Sequence, residues 1–153
     1  MDRREFLAGA AALAATMAAT SARAQTHEHN HEAPATAPRD PKLDTLVKAA
    51  NDCVQSGEAC IRHCVDLLGK GDTSLHGCLQ HVLETSAVCT ALERVASYAS
   101  SPSKTMRAFV AACAQYCRDC AAECKKHAEH HEPCKVCMEA CERCAKACEA
   151  VAA

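Results

Sequence analysis

Apolar and cysteine positions recur at steps of three and four in four blocks of the chain, the spacing of one buried helical face. The first block follows Asp40-Pro41, a capping residue followed by a first-turn proline. It predicts a helix over about 41–68, with Leu46, Cys53, Gly57, Cys60, Cys64 and Leu67 on one face. Gly69-Lys70-Gly71 ends it, glycine serving the C-terminal cap. Asp72 or Thr73 is the expected cap of a second helix over about 73–98, whose stripe is Leu75, Cys78, Val82, Thr85, Cys89, Leu92 and Ala96. Ser101-Pro102 repeats the cap-then-proline signal. It opens a third helix over about 102–130, with Met106, Phe109, Val110, Cys113, Cys117, Cys120, Cys124 and His127 on its face and His131 beyond its end. Glu132-Pro133 starts a fourth, over about 133–151.

The fourth block changes the meaning of the other three. Its large apolar residues are only Val136, Met138 and Val151. Without cysteine it has no stripe to bury. At about 100° per residue, Cys134, Cys137, Cys141, Cys144 and Cys148 fall within an arc of roughly 80°, and Cys113, Cys117, Cys120 and Cys124 within roughly 60°. Thiols stand where leucines would line an ordinary core.

Four helices with short connections predict an all-α, antiparallel up-down-up-down four-helix bundle with a cysteine-lined core. That topology gathers Leu43, Leu46, Tyr98, Met106, Phe109 and Val151 at one end as an apolar plug. At the other end it gathers His63, Cys64, His76, Cys78, His81, Cys124, His127, His131, Cys134 and Met138. Soft and imidazole ligands therefore concentrate at a mouth.

The bundle is preceded by two other segments. Residues 1–24 carry Arg3-Arg4-Glu5-Phe6-Leu7, a small apolar run, and the cleavage signal Ala22-Arg23-Ala24. This resembles a twin-arginine export signal, and implies periplasmic delivery of an already folded protein. Residues 25–40 are rich in His, Pro and Ala and lack periodicity, which predicts a disordered lead-in. His27, His29 and His31 could hold a metal there, or belong to a soluble tail. Removing the leader takes three basic and two acidic residues from totals of 17 and 19, leaving 14 against 17, a net of −3. Nothing in that balance favours nucleic acid or an anionic membrane as partner.

Fourteen cysteines in an exported chain raise the expectation of disulfides. Long helical stretches oppose it, because thiols along one helical face rarely meet in disulfide geometry. Unpaired buried thiolates are prohibitive, and the stripes hold no Lys or Arg. A soft metal ion is therefore expected to supply the charge. Zinc prefers closed sets of four ligands, usually on knuckles joined by loops. The ferredoxin run of iron–sulfur proteins is absent. One Cu(I) per thiolate leaves the interior neutral. The C-x3-C pairs Cys60/Cys64, Cys113/Cys117, Cys120/Cys124, Cys137/Cys141 and Cys144/Cys148 can each take one ion, with sulfurs bridging to facing helices.

With its twin-arginine leader, four helices and those five pairs, the chain resembles the exported type of bacterial copper storage protein. The resemblance implies a non-enzymatic bundle holding many Cu(I) ions on Cys53, Cys60, Cys64, Cys78, Cys89 and the nine later cysteines. It also implies a homotetramer, a role in copper homeostasis, and donor or acceptor proteins for copper. Family members carry His or Met at the open end, which here points to His76, His81, His127, His131 and Met138. The rival readings are a zinc or cadmium thiolate buffer, a thiol redox protein using Cys117/Cys120, Cys134/Cys137 or Cys141/Cys144, and a disulfide-stapled bundle.

Overall fold

The computed structural model describes residues 38–153. The expected leader and the His27, His29, His31 segment lie outside them. The described residues form α1 (Pro41–Gly69), α2 (His76–Tyr98), α3 (Lys104–Lys125) and α4 (Glu132–Ala152), with no strand among them. None of these helices is long and apolar enough to cross a membrane.

Each helix packs on its two neighbours in the cyclic order α1, α2, α3, α4. Contacts between chain ends fix the antiparallel sense. The Asp40 amide, just before α1, donates to Ser100 O beyond the end of α2 at 3.0 Å. Arg107, in the first turn of α3, donates to Val151 O near the end of α4 at 2.8 Å. Arg39 clamps the same end, its guanidinium reaching Ala96 O, Ser97 O and Ala99 O at 2.8, 2.9 and 2.6 Å. These carbonyls lie in or just beyond the last turn of α2, where helical partners run out.

The caps show where sequence spacing and tertiary structure part. Asp40 caps α1 as expected, accepting from the Lys42 amide at 2.9 Å. Gly71 takes the positive φ of 83° that follows the helix. Asp72, however, does not cap α2. Its carboxylate accepts from Ser74 N and closes a turn, and the helix starts three residues later than expected, after Leu75. Burial of Leu75, which is 1% exposed, sets that boundary in place of a side-chain cap. Ser103, not Ser101, caps α3 by accepting from Met106 N at 3.1 Å. The third helix stops at Lys125, short of His130, because α4 begins at Glu132 and the chain must reverse within Lys126–His131.

The plug is real but smaller than the sequence suggests. Leu43, Leu46, Leu92, Met106, Val110 and Val151 are buried at that end. Tyr98 is 89% exposed, since it sits two residues past Ala96 and about 200° round the helix from it. Phe109 is only partly buried. Above the plug the buried surface is mostly cysteine and alanine, with Leu75, Val82, Thr85 and Gly57 between them.

Candidate metal centre

All fourteen cysteines are buried, none more than 2% exposed, and all are free thiols. The helical register alone produces this, since every cysteine lies on the inward stripe of its helix. The closest recorded Sγ–Sγ approach is 3.5 Å, against about 2.05 Å for a disulfide bond. No C-x2-C pair is open to a macromolecular disulfide.

The sulfurs form a continuous path through the bundle. At the mouth side Cys78 lies 3.5 Å from Cys124, 3.7 Å from Cys60 and 3.8 Å from Cys134. Cys120 lies 4.0 Å from Cys124 and belongs with Cys137 and Cys141 to a set whose sulfurs are all within 4.8 Å. Cys141 then reaches Cys53 at 3.6 Å, and Cys53 reaches Cys89 at 3.7 Å. Cys89 continues to Cys117 at 3.7 Å and Cys144 at 3.9 Å. Cys64, Cys113 and Cys148 flank this path.

The metal-sized sets are Cys53/Cys89/Cys117/Cys144, Cys60/Cys78/Cys134, Cys60/Cys124/Cys137 and Cys120/Cys137/Cys141. Each draws on at least two helices. Spacing along one helix identified the lining, but the grouping comes from how neighbouring helices rotate and slide. Gly57 is part of that fit: a Cβ there would lie 3.4 Å from Val82 Cγ2. Gly77 plays a similar part at the mouth, where a Cβ would meet Glu123 Oε1 at 2.7 Å.

Thr85 is the one buried polar side chain among the described residues. Its hydroxyl donates to Tyr116 O at 3.1 Å, so it needs no charge. Among the described residues no Lys or Arg is buried with the sulfurs. Burial, reinforced by charge on Cys144, pushes the Cys113 thiol up to about 12. Burial first, then charge on Cys60 and other neighbours, also pushes Cys64 up. Where sulfurs touch, protons are shared unequally. Cys53, accepting chiefly from Cys117 and also from Cys141, is drawn down to about 5. Its donor Cys117 is pushed up by its bonds to Cys144 and Cys53. The lining is a hydrogen-bonded thiol network that a cation can enter by displacing protons.

The mouth brings together only some of the expected histidines. His63 Nε2 and His131 Nδ1 are 2.9 Å apart, and the ring of His127 lies 6.4 Å from that of His131. Topology puts His63 at this end, and its place beside Cys64 is the sequence signal for it. Glu123 Oε1 lies 3.9 Å from His127. His81 uses Nδ1 on its own helix, bonding Gly77 O at 2.9 Å. His76 is exposed and Met138 partly buried, and neither joins the His63/His131 pair.

A family model described as Csp, copper storage protein, matches residues 39–153, three-quarters of the chain. The chain belongs to the copper storage protein family. Solved structures agree with that placement. A cytosolic copper storage protein of Streptomyces lividans, bearing five coppers, is 32% identical, covering 73% of this chain and 92% of its own, with a TM-score of 0.67. The apo form of the copper storage protein Csp3 of Bacillus subtilis is 28% identical over 72% of this chain and 98% of its own, with a TM-score of 0.61. An uncharacterised cysteine-rich protein of Bacillus subtilis, YhjQ, is 32% identical over 94 residues, 61% of this chain and 81% of its own. The all-α four-helix architecture is therefore what this chain shares with the solved copper storage proteins.

Proposed function

We propose that this member of the family stores Cu(I) at high capacity on the thiolates of its fourteen core cysteines, without catalysis. The observation that carries the reading is the continuous path of buried sulfurs, in a core where no Lys or Arg of the described residues is buried. A monovalent soft ion matches one charge per thiolate and tolerates sulfur-only ligation. Copper is cargo here, and its way in is the His/Cys end. His63, His127 and His131 flank that end, with His76, His81 and Met138 as accessory candidates. Anaerobic titration of the fully reduced protein against a competing Cu(I) chelator is expected to give uptake approaching the thiol count. Saturation at about three or four ions, with zinc bound in preference, would instead indicate a divalent-metal buffer.

The finer readings rest on narrower support. Export to the periplasm is favoured by the Arg3-Arg4 leader and the Ala22-Arg23-Ala24 cleavage signal. Protein recovered from the periplasm of its host should begin at Gln25 on N-terminal sequencing; recovery in the cytosol with residues 1–24 intact would refute export. Assembly into a homotetramer, and exchange with copper donors or acceptors, follow the family resemblance. The role in copper homeostasis follows from storage itself.

A further inference from the structure

Among the metal-sized sets, one differs in kind. Cys53, Cys89, Cys117 and Cys144 come one from each helix, and all four sulfurs lie within 4.8 Å of one another. The other sets contain three sulfurs. The edges from Cys89 are 3.7 Å to Cys53, 3.7 Å to Cys117 and 3.9 Å to Cys144. A tetrahedral ion with metal–sulfur bonds of about 2.3 Å, the zinc–thiolate value, requires sulfur–sulfur edges of about 3.8 Å. The three edges match that figure.

From this geometry we propose that the inner quartet is a tetrahedral site for one divalent cation of the zinc class, held when the bundle is copper-free. The inference rests on the storage reading and adds a second metal class to it. Its location suits a resident ion more than a travelling one. The quartet lies between the apolar plug and the level of Gly57, Val82 and Thr85, where α1 and α2 carry no cysteine. All four ligands are at most 2% exposed. Binding exchanges up to four thiol protons for the cation and leaves a tetrathiolate of net charge −2. Cys141, 3.6 Å from Cys53 Sγ and outside the four, can donate its S–H to that charge. An ion there ties all four helices at one level, in a core otherwise short of large side chains. Excess Cu(I), entering along the sulfur path, displaces it.

The test uses Co(II), a spectroscopic stand-in for zinc, on the reduced, copper-free full chain under anaerobic conditions. One equivalent is expected to bind with the visible bands of a tetrahedral tetrathiolate, and one equivalent of Zn(II) should remove them. Cys89→Ser and Cys117→Ser should each weaken that site by at least about 100-fold, beyond the loss typical of an outer-shell change, while Cys134→Ser at the mouth changes it less than about threefold. Circular dichroism identifies any variant that fails to fold, and the other quartet variant then answers. Absence of the tetrathiolate spectrum, several equivalents of equal affinity, or equal loss with Cys134→Ser would overturn the proposal. Cu(I) titration of the same preparation keeps the two readings separate. High Cu(I) capacity without a Co(II) site rejects only the divalent site, whereas low Cu(I) capacity rejects storage.

Discussion

Filling the lining with Cu(I) is expected to raise the thermal unfolding midpoint of the bundle by at least about 20 °C. The metal-free fold has a lopsided interior. The plug supplies Leu43, Leu46, Leu92, Val110 and Val151, and α2 adds Leu75 and Val82. These keep the metal-free helices assembled. Along α4 the buried residues are cysteines and alanines except for Val151, so that helix is held by little apolar area. A ligand that binds only the native state adds about 4.1 kcal/mol at a thousand times its Kd, and each kcal/mol moves the midpoint of a domain this size by roughly 4–5 °C. A single ion thus accounts for most of the expected shift. Unfolded cysteines also bind Cu(I), which reduces the gain per ion. Ligand sets drawn from two to four helices exist only in the folded chain, so a differential remains for every ion. Far-UV circular dichroism melts of reduced protein, metal-free and saturated, measure it. A shift below about 5 °C would mean that folding contributes little to how the sulfurs hold copper.

That prediction depends on features that were unequally legible in the sequence. Cysteine spacing alone placed every thiol on an inward face, because three-and-four periodicity fixes which side of a helix a residue occupies. The Asp40 cap and the Gly71 turn were equally readable, being local chemistry. Other features were not, beyond the caps of α2 and α3. Position near a helix end points Tyr98 to the plug, but the angle it makes with the Ala96 stripe turns it outward. The last turn expected of α3 became the reversal into α4, which is a demand of the next helix. The sulfur sets cross between helices, and C-x3-C spacing implies bridging to facing helices without saying which sulfurs meet. Cys53 meeting Cys89, or His63 meeting His131, depends on axial register, and register is set by contacts such as Gly57 on Val82.

Acidification from pH 7.5 to 5.5 is expected to weaken Cu(I) binding by roughly 25- to 100-fold per ion, with about 0.7 to 1 proton released for each ion bound near neutral pH. Nine of the fourteen thiols are pushed up: Cys64, Cys89, Cys113, Cys117, Cys124, Cys134, Cys137, Cys141 and Cys148. Four are drawn down: Cys53, Cys60, Cys120 and Cys144. The sign follows from which form binds metal. Thiolate is the ligand, so a thiol whose pKa lies above the ambient pH must lose its proton to bind. Cys113, up at about 12 through burial, is protonated across the whole range and releases one proton whenever it takes copper. Cys60, drawn down to about 4 chiefly by its bond to Cys124, gives up its proton more readily and contributes less to the release. Lowering the pH therefore raises proton competition most at the majority class and less at the minority. Chelator competition at several pH values, corrected for the chelator's own titration, gives the affinity slope. Uptake of protons by a dilute buffer with a pH indicator gives the release directly. A flat affinity together with fewer than about 0.2 protons per ion would show that most thiols of the copper-free core are already deprotonated. That core would then need a cation of its own, and the four-sulfur site shared by all the helices is where the structure would place it.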